Sequence, residues 1–123
     1  MDDKKKVLIV EDDKMIIDMY SLKLSQEGFN VLQAEDGKTG WEQAQSQQPA
    51  IILLDIILPE MDGFTVLKNL KENDVTKDIP VILLTNLGQD GDVKKGLELG
   101  AKDYLIKANY TPQQVVDKVK SMI

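Results

Sequence analysis

The chain has 123 residues, 42% of them hydrophobic, which suffices for one domain with a buried core and is too little for two of ordinary size. With 21 acidic side chains against 15 basic ones the formal charge is −6 and the pI about 4.6, so a phosphate backbone would be repelled and nucleic acid is not expected as a direct partner. Cysteine and histidine are both absent, which excludes disulfides, thiolate metal sites, a cysteine nucleophile and an imidazole base.

The N-terminal stretch MDDKKKVLIVEDD is too charged, and its apolar run too short, for a secretory signal. No stretch approaches the length needed to span a bilayer, so a cytoplasmic chain without a membrane partner is expected, with Asp2 to Lys6 as a solvated end. Val7 to Val10 reads as a first strand and runs directly into three acids, Glu11, Asp12 and Asp13. An amphipathic segment follows, with Gly28 placed as its C-cap glycine. Val31 and Leu32 with their neighbours form the second strand, and Pro49 stops the second helix, in which Trp41 reads as a packing residue. Ile51 to Leu54 is a third strand closed by Asp55. Pro59 and Gly63 shape the loop after it, and Asp62 can cap the third helix. Val81 to Leu84 is a fourth strand closed by Thr85. The segment GQDGDVKKGLELG then holds Gly88, Gly91, Gly96 and Gly100, the last placed as a C-cap. Interior glycine costs up to about 1 kcal/mol relative to alanine, so this should be the least stable helix. Tyr104 to Ile106 is a fifth strand closed by Lys107. The last helix is strongly signalled: Val115, Val116, Val119, Met122 and Ile123 share one face, and Thr111-Pro112-Gln113-Gln114 supplies an N-cap, a proline at N1 and a glutamine at N3.

Strand and helix thus alternate five times, and such a pattern demands an α/β architecture in which right-handed crossovers cover both faces of a parallel sheet. In the flavodoxin-like, doubly wound (βα)5 order 2-1-3-4-5 all the carboxyl ends lie on one edge, where ligands bind at the switch in strand order. Glu11, Asp12, Asp55, Thr85 and Lys107 would then line one crevice. Three carboxylates so close raise one another's pKa, which a hard divalent cation would relieve; magnesium takes one or two carboxylates and shares its shell with phosphate. Asp55 is the best nucleophile on offer, as in aspartyl-phosphate chemistry, while Thr85 and Lys107 would bind the oxygens of a transferred phosphoryl group.

VLIVEDD at the first strand, IILLDIILPEMDG around the third, VILLTN at the fourth and GAKDYLIK at the fifth together make the chain resemble, over essentially its whole length, the chemotaxis-type receiver domain of two-component response regulators. The resemblance implies one receiver domain over residues 1–123 with no output domain, which catalyses only its own phosphorylation and dephosphorylation. It implies Asp55 as phosphoacceptor, and Mg2+ held directly by Asp12, mainly through water by Glu11, and by Asp55 and the Ile57 backbone carbonyl. Thr85 and Lys107 match the hydroxyl and lysine that contact the phosphoryl group. Tyr104 matches the aromatic that moves inward with Thr85 on activation, remodelling the face of the fourth helix, fifth strand and fifth helix for a downstream protein target. The implied donor is the phosphohistidine of a sensor histidine kinase or histidine phosphotransfer protein. Asp13 has no counterpart among the site acids and reads as the cap of the first helix.

Some positions depart from the family pattern. Ala108 follows Lys107 where proline, often with a cis bond, is usual; either a trans bond with a rearranged loop or a strained cis bond is expected. Asn86 replaces a small residue after Thr85 and could narrow access to Asp55 or hydrogen-bond to the phosphoryl group. Ile57 and Leu87 are apolar where polar side chains would help place an attacking water. Two other readings compete: a pseudo-receiver or engineered scaffold acting by binding alone, and an aspartate-nucleophile phosphohydrolase. The latter generally wants a second acid where Ile57 stands.

Overall fold

A computed structural model describes residues 4–123. Five strands, β1 (Lys6–Val10), β2 (Asn30–Ala34), β3 (Ile51–Leu54), β4 (Val81–Thr85) and β5 (Asp103–Ile106), alternate with five helices, α1 (Lys14–Gln26), α2 (Gly37–Gln47), α3 (Gly63–Glu72), α4 (Asp90–Glu98) and α5 (Pro112–Met122). All pairings are parallel, in the order β2-β1-β3-β4-β5. The α/β flavodoxin-like order read from the sequence is therefore the one adopted. Asp2 and Asp3 of the expected solvated end lie outside the described residues, while Lys6 opens β1.

Successive strand residues point to opposite faces, and the two faces carry separate cores. Leu8, Val10, Ile52, Leu54 and Leu83 meet Ala44, Val66, Leu67 and Leu70 under α2 and α3. Val7, Ile9, Leu53, Ile82 and Leu105 meet Ile17, Leu24, Val115, Val116 and Val119 under α1 and α5. Burying each such side chain contributes roughly 1.5–3 kcal/mol, which explains why β1, β3 and β4 read as unbroken apolar runs rather than alternating ones. The edge strand β2, only half buried along most of its length, has the weaker signal.

Local chemistry ends the helices where the sequence places their caps. Asp13 accepts from the N–H groups of Met15 and Ile16 at 3.0 and 3.3 Å, and Asp62 from the Thr65 N–H and hydroxyl at 3.1 and 2.9 Å. Gly28 and Gly100, at φ +93° and +108°, take the left-handed conformation that follows α1 and α4. Thr111 and Gln114 complete a reciprocal capping box at α5, at 3.1 and 2.8 Å. Thr111→Ala is expected to cost about 1 kcal/mol, read as a lower denaturant midpoint, whereas Thr111→Ser should stay near the wild type. In α4 only Gly96 is fully buried, and Gln89 offers no side-chain cap. No cis peptide occurs among the described residues. The trans alternative at Ala108 is thus the one taken, and Lys107–Asn109 winds into a single 3-10 turn.

Candidate functional site

The parallel ladder brings the strand ends into register: Val10 pairs Leu54, Leu54 pairs Leu83, and Thr85 pairs Ile106. Past the strands the backbone still pairs, with the Glu11 N–H donating to the Ala34 carbonyl and the Asp55 N–H to the Val10 carbonyl, both at 3.0 Å. Rigid sheet therefore fixes where the carboxylates leave the chain. Glu11, Asp12 and Asp55 each offer a carboxylate oxygen, all within 4.8 Å of one another. Lys107 reaches in from β5, its Nζ donating to Glu11 Oε2 at 2.6 Å and Asp55 Oδ2 at 2.8 Å. The lysine side chain is 12% exposed and the two carboxylates 6% and 8%, so this ion triad is close to dry. Asp12, in contrast, stands in solvent at the rim.

One ammonium cannot neutralise two buried carboxylates. Burial, and then a shared hydrogen bond with Asp55, push the Glu11 carboxyl up to about 7, with Lys107 opposing the rise. Burial also works to raise Asp55, but hydrogen bonds from Glu11, Lys107 and Thr85 outweigh it and hold that carboxyl below its ordinary value. Burial works to lower Lys107, yet its bonds to Asp55 and Glu11 keep the ammonium above its ordinary range. Near neutrality Glu11 is therefore the carboxyl disposed to take up a proton, while Asp55 keeps its charge, a partition that suits a nucleophile. The donor set, three hard carboxylate oxygens holding more negative charge than Lys107 offsets, fits a divalent cation such as Mg2+.

Behind Asp55 the loop is pinned by backbone. Asp55 Oδ1 accepts from the Ile56 N–H at 2.6 Å. The Gly63 N–H donates to the Ile56 carbonyl at 2.8 Å, and the Gly37 N–H to the Pro59 carbonyl at 3.1 Å. A Cβ at Gly63 would run into the Asp55 carbonyl, and one at Gly37 into that of Met61, so the loop bearing Ile57 lies wedged between α3 and α2. The Ile57 side chain is 63% exposed at the mouth of the crevice.

Thr85 is fully buried beside Asp55, and its Oγ1 accepts from the Leu87 N–H at 3.3 Å. The Tyr104 hydroxyl donates to the carbonyl of the same Leu87. Thr85 and Tyr104 thus grip one residue from both ends. The Tyr104 ring is buried, only 9% of the residue being exposed. Asn86 is exposed and lines a groove beside Lys107 instead of covering Asp55. The structure thus brings together Glu11, Asp12, Asp55, Thr85 and Lys107, with Tyr104 linked through Leu87.

One residue, Tyr20, and one role, that of the Leu87 backbone, escape the sequence reading, where Leu87 stands out only for its apolar side chain. Leu87 acts through its peptide groups, which have no side-chain signature. Tyr20, buried on α1, feels the charges of Lys107 and Glu11, while burial raises its hydroxyl pKa. Its spacing from Ile17 and Leu24 on one helical face was the available signal.

A family model described as the response regulator receiver domain matches residues 7–120. The DNA-binding dual master transcriptional regulator RpaA of Synechocystis sp. is 41% identical over 118 residues, covering 96% of this chain and 48% of that protein. The phosphate regulon transcriptional regulatory protein PhoB of Escherichia coli is 38% identical over 119 residues, covering 97% and 52%. The chain spans about half the length of these curated relatives. Among solved structures, the chemotaxis protein CheY4 of Vibrio cholerae matches with a TM-score of 0.89 at 28% identity, over 98% of this chain and 99% of that one. The BeF3-activated receiver domain of DrrB matches at 0.84 and 33%, over 97% of each chain.

Proposed function

The chain belongs to the response regulator receiver domain family, the signalling module of two-component systems, and from that premise we propose that Asp55 is its phosphoacceptor. The single observation that carries this reading is the buried triad, in which Lys107 bridges Glu11 and Asp55 and leaves Asp55 ionised. An Asp55 carboxylate oxygen attacks the phosphorus of a partner's phosphohistidine, the N–P electron pair returns to the ring nitrogen, and the imidazole, already protonated at its other nitrogen, leaves neutral. Lys107 and the Thr85 hydroxyl bind the phosphoryl oxygens where charge builds up. Glu11, mainly through water, with Asp12, Asp55 and the Ile57 carbonyl, would hold Mg2+, which would supply the further positive charge those oxygens need.

The donor is a sensor histidine kinase or a histidine phosphotransfer protein. Met15, Met19 and Leu22, exposed at helical spacing on α1, and the groove of about 330 Å³ between α1 and the start of α5 support an apolar docking partner beside Lys107. Leu87, tied to both Thr85 and Tyr104, supports an output through the face of α4, β5 and α5 toward a protein target. Phosphorylation then holds the inward arrangement of Thr85 and Tyr104 in place instead of creating it. Ile57, apolar and exposed, cannot donate a proton to a leaving group, which disfavours a phosphohydrolase.

The reading is tested by incubating the chain with acetyl phosphate and Mg2+. A mass gain of one phosphoryl group, labile to hydroxylamine and mapped to Asp55, is expected; a stable modification or one on another residue would refute it. The acyl phosphate should also be long-lived, because neither Ile57 nor Leu87 can orient a water. Ile57→Asn with Leu87→Glu is expected to shorten its half-life at least about tenfold, and an unchanged half-life would count against that account.

A further inference from the structure

Two glycines of α4 differ in what lies beneath them. At Gly91 nothing stands within 4 Å of where a Cβ would be, so this glycine merely weakens the helix. At Gly96, the one fully buried residue of α4, a Cβ would lie 2.5 Å from Leu83 Cδ1 and 3.0 and 3.3 Å from Cδ2 and Cε2 of Tyr104. Neither neighbour has easy room to yield. Leu83 is fully buried in the centre of the sheet, and the Tyr104 ring is tethered at its far end by the hydroxyl bond to Leu87. A methyl group forced into so filled a place drives side chains off their rotamers or shifts the backbone.

We propose that Gly96 is a positioning residue of the switch: the side chain it lacks is the space that the edge of the buried Tyr104 ring requires, so α4 can be seated only while position 96 stays bare. The inference rests on the reading of Thr85 and Tyr104 as the switch coupled to Asp55. With alanine at 96, Leu83 Cδ1 must shift and the ring edge must give by a few tenths of an ångström, so the seated helix disfavours the buried ring. Whatever moves Tyr104 releases the Leu87 carbonyl, and the N–H of that same residue is bonded to Thr85. A clash under α4 therefore reaches the phosphoryl site through the side chains of Tyr104 and Thr85 and the two peptide groups that flank Leu87. Coupling is reciprocal: a substitution that disfavours the buried ring must weaken any ligand of Asp55 that favours it.

The test labels the tyrosines with 3-fluorotyrosine, assigns the Tyr104 signal by its loss in Tyr104→Phe, and follows it while beryllofluoride and Mg2+ are titrated into the full chain. Gly91→Ala is expected to keep the wild-type signal and midpoint. Gly96→Ala should move the signal toward that of an exposed ring and raise the beryllofluoride midpoint about tenfold. In a Tyr104→Ala background, Gly96→Ala should unfold no more readily than Gly91→Ala. A wild-type signal and midpoint in Gly96→Ala would overturn the proposal, and so would a penalty that persists without the Tyr104 ring, since the clash would then belong to Leu83 alone. If Gly96→Ala does not fold by itself, the Gly96→Ala, Tyr104→Ala double variant decides: folding supports the proposal and failure to fold overturns it. A wild type that does not respond to beryllofluoride would instead overturn the phosphoacceptor reading of Asp55, and the proposal with it.

Discussion

Asp55→Asn is expected to take up no phosphoryl group from acetyl phosphate, and Lys107→Ala to take it up at least about a hundredfold more slowly, with Mg2+ saturating in both cases. The asparagine keeps the shape of the side chain and can still accept a hydrogen bond from Lys107, so the fold survives. It offers no anionic oxygen to phosphorus, however, and nothing else in the crevice replaces it. Among the described residues Glu11 is the only comparably buried carboxylate, and it is the one disposed to take up a proton. Loss of Lys107 acts twice. It removes the ammonium that binds a phosphoryl oxygen in the transition state, and it leaves Glu11 and Asp55 facing each other without a counter-charge, which raises the Asp55 carboxyl and blunts it as a nucleophile. Breaking a buried ion pair from one side typically costs about 3–5 kcal/mol while the remaining charge persists; here protonation of the second acid limits that loss, so the kinetic defect should exceed the defect in stability. Initial rates of acyl phosphate formation separate the two variants. Wild-type uptake by Asp55→Asn would place the acceptor elsewhere, and a Lys107→Ala rate within about twofold of wild type would reduce the lysine to a balancing charge.

How far these residues could be read from the chain depends on how local their physics is. Strands β1, β3 and β4 are legible because both faces are buried, and Asp13, Asp62 and Thr111 because a cap needs only its own next turn. The meeting of Glu11, Asp55, Thr85 and Lys107 follows from strand order alone, since parallel strands must deliver their ends to one edge. What escapes is set by distant partners or by backbone. Residue 11 is disposed to hold a proton because burial and Asp55 together outweigh the pull of Lys107, and no spacing near Glu11 announces that. Gly37 looks like an ordinary first-turn glycine until the Met61 carbonyl is found against it. Tyr104 carries the family's aromatic, but its inward ring and its hold on Leu87 depend on a bare position 96 on another element. The turn after Lys107 shows the converse. An alanine in place of proline leaves the loop free to wind differently, yet the lysine still reaches both acids, because β5 directs it and the loop after it does not.

The proton on Glu11 gives the protein a pH dependence of definite sign. Its carboxyl lies at about 7 in the fold against an ordinary 4.5, so the stability it contributes is complete below the ordinary value and lost as pH rises through about 7. Asp55, held below its ordinary 3.8, behaves oppositely: its contribution is present above that value and lost as pH falls through the lowered one. Chelator-treated protein should therefore be most stable on the weakly acid side of neutrality and lose on the order of 2 kcal/mol between about pH 5 and about pH 8.5. A divalent cation reverses the trend, because binding at Glu11 must expel the proton. Below about pH 7 the apparent Mg2+ affinity should then fall by up to about tenfold per pH unit, and calorimetry in buffers of different ionisation enthalpy should detect close to one proton released per ion bound. Glu11→Gln carries no titrating proton. It should bind Mg2+ more weakly than the wild type at alkaline pH, release no proton there or near neutrality, and show a flat metal-free stability across the same interval. A wild-type affinity that does not change between about pH 6 and about pH 8 would mean that Glu11 is already ionised beside Lys107. In that case the excess negative charge of the triad, and not a displaced proton, would set how strongly the crevice draws a cation.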